Sequence, residues 1–225
     1  MSLWFVSATR LAREGFERDA PLARSLARVA GVSPIVVAIA YSNARPLPEV
    51  FNRAIDTAGA DDTLAFVHDD VWIDDWRIAA RLEDALAAYD VVGLAGNRRR
   101  TPRQEGWALA GDSRKQDIEH LSGAIAHGSP SAGKAVVYGP APAEAKLLDG
   151  VFLAARAQRL KESGVRFDPR FAFHFYDTDF CRSCERAGLR LGTWPIALTH
   201  SSAGGGFATP GWDAAYRDYL AKWGD

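Results

Sequence analysis

Several short stretches carry side chains whose types and spacing suit chemistry. His68-Asp69-Asp70 follows the apolar run at 64–67 without a break. Two adjacent carboxylates in such a place repel unless a cation or solvent intervenes. Their hard oxygens suit magnesium or manganese, with a bound pyrophosphate completing the ion's shell. The same pair also suits a plain turn, where aspartate is common. A second cluster holds His174, Tyr176, Asp177 and Asp179. One of its carboxylates has the chemistry of a general base that deprotonates an acceptor hydroxyl. The competing role is helix capping, because Asp177 or Thr178 stands where a helix over 180–187 begins. His200 closes an apolar segment and precedes two serines, a place for a ligand or for a hydrogen-bonded structural histidine.

Other residues bear on binding rather than bond making. Trp107 and Trp212 lie in irregular, glycine-adjacent segments and suit stacking of a sugar ring, and Trp72 and Trp76 flank a helix start. Core packing is the competing role for each. Arg98-Arg99-Arg100 is a basic run able to reach a diphosphate or a phosphorylated acceptor, or equally a solvated loop face. Cys181 and Cys184, at i and i+3, share a helix face. Their spacing makes neither a disulfide framework nor a zinc site, and small core-facing residues are expected there.

These side chains need elements to hold them. Apolar, β-prone runs predict strands over 3–8, 35–40, 64–67, 91–95 and 151–155. The run at 35–40 reads as buried on both faces. Helical spacing predicts helices over 16–30, 48–58, 76–89 (capped by Asp74 or Asp75), 158–163 (closed by Gly164) and 212–223, with another ending near Gly188. The first seven elements alternate strand and helix, which argues for an α/β fold with a mostly parallel central sheet flanked by helices. Segment 97–146 breaks that alternation and reads as irregular or hairpin-containing. In open parallel sheets, ligands bind beyond the carboxyl ends of the strands. Thr9-Arg10, Ser42-Asn43 and His68-Asp69-Asp70 all fall there.

Length and composition bound the rest. The 225 residues suit one domain, and 48% hydrophobic with 24% charged residues is ordinary for a globular chain. A net charge of −1 provides no global field for nucleic acid or anionic lipid. No secretory signal or transmembrane run is visible, so a cytoplasmic location is expected.

Taken in order, these pieces resemble the nucleotide-sugar glycosyltransferases of the GT-A fold, and among them bacterial proteins of the inverting glycosyltransferase family 2. The resemblance rests on Asn52-Arg53-Ala54-Ile55, Leu64 through Val71, Asp149-Gly150-Val151-Phe152-Leu153, Phe167-Asp168, Phe175 through Cys181, and Ala187-Gly188-Leu189-Arg190-Leu191, with Pro195 and His200 after them. It runs from about Pro34 to Ser202 and keeps the family's order. It implies one domain over 1–225, with a nucleotide-binding half at 1–97 and an acceptor-binding half at 98–225. His68-Asp69-Asp70 matches the family's Asp-any-Asp motif, with histidine replacing the first carboxylate. The resemblance thus implies Mn2+ or Mg2+ at Asp70 with His68 and His200. It implies donor contacts at Thr9, Arg10, Asn43, Asn52, Asp69 and Asp70. Asp177 inherits the role of base and Asp179 a supporting one, while Asp149, Gly150, Tyr176, Trp107 and Trp212 fall on the acceptor side. The implied reaction is direct displacement of a nucleoside diphosphate by an acceptor hydroxyl, of the kind used in polysaccharide biosynthesis. Two other classes compete. A metal-dependent phosphohydrolase or nucleotidyltransferase also uses strand-end carboxylates. A non-catalytic carbohydrate- or nucleotide-binding homologue is favoured by one residue, His68.

Overall fold

The computed structural model describes residues 2–130, 132–201 and 209–224. β1 (Leu3–Ala8) is followed by two helices, α1 (Arg13–Asp19) and α2 (Pro21–Val29), where one helix over 16–30 was expected. Pro21 explains the break. It has no N–H and drives the preceding residue out of the helical region, and Ala20 is extended at φ −72°, ψ 128°. β2 (Ile35–Ala40) comes next, then α3 (Leu47–Thr57) and the wholly buried β3 (Thr63–Val67). A two-residue turn leads to β4 (Val71–Ile73), a strand too short to read in the sequence. α4 (Ile78–Ala88) follows. Neither capping candidate caps it: the N-cap is Arg77, without a side-chain cap bond, while Asp75 accepts the Arg77 N–H at 3.0 Å and Asp74 accepts from the Thr199 hydroxyl at 2.7 Å.

The strand expected over 91–95 is two strands, β5 (Val91–Gly93) and β6 (Ala95–Asn97), which belong to different sheets. Leu94 stands at the crossing, its carbonyl accepting the Ala124 N–H at 3.1 Å. The irregular segment contains the antiparallel hairpin of β7 (Leu121–His127) and β8 (Lys134–Gly139), then β9 (Ala143–Ala145) and β10 (Leu147–Leu148). After β11 (Phe152–Arg156) comes α5 (Ala157–Ser163), ended by Gly164 at φ +69°, a conformation natural to glycine. α6 (Tyr176–Arg186), β12 (Leu191–Thr193), β13 (Leu198–His200) and α7 (Pro210–Trp223) complete the chain.

The main sheet has the order β2-β1-β3-β11-β5-β12-β9. β2, β1, β3, β5 and β12 run parallel, while β11 and β9 run against them. The sheet is therefore mixed, with a reversed strand at its centre. β2 lies at the rim, so its apolar run has one neighbour only. Val37 is 47% exposed, and full cover of that strand is not found. The second sheet, β10-β6-β7-β13-β4 with β8 on β7, is also mixed. Phe51, Phe66, Phe167 and Phe180 anchor one core layer, and Phe5, Leu22, Leu82 and Phe152 anchor the other. Cys181 and Cys184 are free and buried on α6, as small core residues. No helix among the described residues is long and apolar enough to cross a membrane.

Candidate functional site

Register brings the first group together. β3 ends at Val67, and the His68 N–H donates to the Val151 carbonyl at 3.2 Å. The turn through Asp69 and Asp70 feeds β4, which pairs antiparallel with β13 so that His200 stands opposite Val71. That register sets His200 Nε2 at 3.2 Å from Asp70 Oδ2, and the Ser201 N–H binds the Asp70 carbonyl at 2.9 Å. One donor atom each from His68, Asp70 and His200 lies within 4.8 Å of the others. β11 lies beside β3, with Phe152 opposite Val67, so the loop 149–151 meets the same strand end.

Donor and acceptor logic fixes the tautomer of His68. The Tyr176 hydroxyl has one proton, and it donates that proton to the Gly150 carbonyl at 2.7 Å. His68 Nε2 lies 2.9 Å from the same hydroxyl, so Nε2 carries the hydrogen and donates it. Nδ1 is left with the lone pair, the form in which imidazole ligates a cation. Burial also lowers the pKa of His68, outweighing the attraction of Asp70 and its neighbours, which keeps the ring neutral. His200 behaves oppositely. Burial works against its protonation, yet the hydrogen bond and charge of Asp70 prevail and its pKa is raised. For Asp70, burial favours the acid, but His200 overcomes it and lowers the pKa.

Two imidazoles and a carboxylate form a donor set suited to a divalent cation. Asp70 Oδ1 is buried and accepts no hydrogen bond among the described residues. An orphaned carboxylate oxygen costs free energy unless something positive meets it, so these residues fit a metal ion. Imidazole nitrogens favour manganese and later transition ions over magnesium, which prefers oxygen.

Asp177 sits in the first turn of α6 but is not its N-cap; the N-cap residue is Phe175, at φ +63°. Its Oδ2 accepts the Gly150 N–H at 3.0 Å and its Oδ1 the Thr178 N–H at 2.8 Å. Burial first, and the nearby charge of Asp149 second, raise its pKa to about 6. A carboxylate so poised is half ready to take a proton near neutrality. Only glycine fits at 150, since a Cβ there would run into the Tyr176 ring and hydroxyl.

A cavity of about 280 Å³ unites most of the expected residues: His68, Asp70, Trp107, Asp149, Gly150, Tyr176, Asp177, His200 and Trp212 all line it. Thr9, Arg10, Asn43 and Asp69 line a second cavity of about 720 Å³. The two aspartates of the strand-end motif thus serve different cavities. Phe173 lines both and stacks on His68, ring centroids 5.9 Å apart.

Several expected residues lie elsewhere. Asn52 is on α3, and its amide clasps the Phe167 backbone in both directions, at 2.8 and 2.9 Å. Asp179 is fully buried away from both cavities, paired with Lys222 at 2.7 Å and accepting the Trp223 indole N–H. Two residues from Asp177, it points to another face of the helix. Trp72 and Trp76 line neither cavity. Arg99 makes a bidentate pair with Asp117, Arg98 donates to the Glu119 carbonyl and Arg100 faces Glu185 at 3.7 Å, so the basic run serves the fold. His174, expected in the second cluster, also lines the first cavity, and so do Glu105 and Phe173, which were not anticipated. An acid two residues from Trp107, and aromatic residues alternating before Tyr176, were the available signals.

No family model matches the chain, and no curated protein matches it. Solved structures do. A mutant of Drosophila β1,4-galactosyltransferase 7, in complex with manganese, UDP-Gal and xylobiose, has a TM-score of 0.52 over 96% of this chain and 80% of that one, at 9% identity. A197 from STIV has a TM-score of 0.43 over 87% of this chain and 82% of that one, at 17% identity. S. aureus TarS has a TM-score of 0.45 over 89% of this chain and 60% of that one, at 13% identity. The first likeness shows the fold: an α/β architecture shared with that galactosyltransferase.

Proposed function

We propose that this chain transfers a glycosyl group from a nucleotide-sugar donor to an acceptor hydroxyl, with inversion, in the manner of family 2 glycosyltransferases. One observation carries the reading. A base-bearing, aromatic-walled cavity and an arginine-bearing cavity share Phe173, and the His68, Asp70 and His200 cluster lies beside that shared wall. Residues of 1–97 supply nearly all of the larger cavity, which supports a donor half there. The smaller cavity draws mainly on 98–225, which supports an acceptor half.

In this reading Arg10, Arg45 and the backbone around Asn43 receive the nucleotide, and Trp107, Tyr176 and Trp212 bound the acceptor. Asp177 takes the proton from the acceptor hydroxyl. The acceptor oxygen bonds to the anomeric carbon, and the bond to the nucleoside diphosphate breaks with its electron pair left on phosphate. Asp149 raises the basicity of Asp177, and the Gly150 N–H holds its carboxylate in place. Asp70, His68 and His200 would hold the divalent cation, with manganese favoured by the imidazoles. Bound there, the ion supplies Lewis acidity that stabilises the diphosphate's charge. The tautomer that leaves His68 Nδ1 free to ligate a cation supports the active reading over an inert homologue.

Release of nucleoside diphosphate from a panel of sugar nucleotides, with Mn2+ and a mixed saccharide pool, tests the reading. Wild type releases diphosphate, and Asp177→Asn releases it about 10²–10⁴-fold more slowly. Equal release by both proteins, or none by wild type with any donor, contradicts it.

A further inference from the structure

The cavity that carries Asp177 is acidic throughout. Asp70, Glu105, Asp149 and Asp177 line it, and among the described residues no lysine or arginine does. Residues 202–208, which lie outside the described ones, read Ser-Ala-Gly-Gly-Gly-Phe-Ala and bring no cation whatever their course. Arg98, Arg99 and Arg100 are engaged with Glu119, Asp117 and Glu185. The second cavity has the opposite character, with Arg10 and Arg45 against the single acid Asp69.

Glu105 carries the argument further. Its side chain is 8% exposed, and its Oε2 accepts no hydrogen bond among the described residues. Nε of the exposed Arg114 stands 3.6 Å from it, beyond hydrogen-bonding distance. A buried carboxylate oxygen in that state is set for hydrogen donors brought by a ligand. The rings of Trp107, Phe173 and Trp212 line the same cavity and provide faces for the C–H surface of a sugar. A hydroxyl-rich molecule satisfies both features. A carboxylated or phosphorylated one would add negative charge beside Glu105, Asp149 and Asp177, with no lysine or arginine among the described lining residues to meet it.

We propose that the acceptor is a saccharide without negative charge, neutral or amino-substituted, held by hydroxyl or ammonium donors on Glu105. The assignment rests on the transferase reading, which makes this cavity the acceptor site. Selectivity between acceptors arises from the absence of any lysine or arginine, and acidic saccharides bind at least about tenfold more weakly than their neutral counterparts.

The test uses matched disaccharide sets of glucose, galactose and mannose, each as the neutral, 2-amino and uronic acid form. Binding to the full chain with Mn2+ and nucleoside diphosphate present is read by saturation-transfer NMR and titration. In at least one set the neutral and amino members bind, and the uronic acid binds at least about tenfold more weakly. Glu105→Gln, which keeps the side chain's shape, narrows that gap severalfold. A uronic acid that binds as tightly as its neutral partner overturns the proposal. So does a panel in which no member binds, or an unchanged gap in Glu105→Gln. The thermal shift with nucleoside diphosphate and Mn2+ is measured on the same samples. The expected charge order without any nucleotide effect would sink the transferase reading, and the cavity would stand as a binding site for uncharged saccharides, not an acceptor site. A clear nucleotide effect with the charge order absent would sink this assignment alone.

Discussion

Replacing Asp177 by asparagine changes activity and stability through the same proton. The folded chain holds the Asp177 carboxyl at about 6 against an ordinary 3.8, chiefly through burial and then through Asp149. Protonation is therefore easier in the folded chain than in the unfolded one. This group's stabilising contribution is complete below pH 3.8 and is lost as pH rises through about 6. The gap corresponds to about 3 kcal/mol, of which about 2 kcal/mol falls between about pH 4.5 and about pH 8. Asparagine has no such proton, so Asp177→Asn should not show this loss. The substitution has its own cost. Both carboxylate oxygens accept backbone N–H groups, from Gly150 and Thr178, and the amide can replace only one acceptor. Leaving the other N–H against an NH2 group costs about 1–3 kcal/mol at every pH. Urea unfolding of both proteins at several pH values separates the two effects, because only the slope with pH reports the proton. The difference in stability should move in favour of the variant by about 2 kcal/mol across that window. In wild type the acid limb of kcat/KM should bend near pH 6. Parallel stability profiles for the two proteins would refute the assignment of a raised pKa to Asp177.

Tyr176→Phe removes the acceptor that fixes the His68 tautomer, and Mn2+ affinity by titration should fall about 10–100-fold while the fold persists. Unchanged affinity would show that the hydroxyl does not orient the ring. Gly150→Ala forces a Cβ onto Tyr176 and Asp177, so thermal unfolding should show a loss of about 1–3 kcal/mol together with lost turnover. Asn52→Ala leaves the Phe167 N–H and carbonyl unpartnered by that amide, at a cost of about 1–3 kcal/mol in urea unfolding, and should leave nucleotide affinity intact. A large loss of nucleotide binding in a folded Asn52→Ala protein would return that residue to the donor site.

The parts of the molecule readable beforehand were those encoded locally. The runs that became β1, β3 and β11 are apolar on both faces, and all three lie in the interior of the main sheet. The place of His68-Asp69-Asp70 beyond β3 followed from that. Features set by partners far along the chain were not readable. The pairing of β11 between β3 and β5, which makes the sheet mixed, depends on strand order rather than on any one strand's residues. The Tyr176 hydroxyl reaches His68 across 108 positions, and Asn52 reaches Phe167 across 115. Asn52, expected at the donor site, has a structural task in this chain. The separation of Asp177 from Asp179 was readable, since residues two apart on a helix point to different faces. The turn of Asp69 and Asp70 toward different cavities was not, because it depends on β4, a three-residue strand paired to β13.

The central claim is that a metal ion at His68, Asp70 and His200 and a nucleotide in the arginine-bearing cavity belong to one site. Calorimetric titration of nucleoside diphosphates into the chain, with and without Mn2+, tests it most directly. At least one nucleoside diphosphate should bind with Mn2+ and bind at least about tenfold more weakly without it, and Asp70→Asn should abolish that dependence. Equal binding with and without the ion, or none with any nucleotide, would contradict the account.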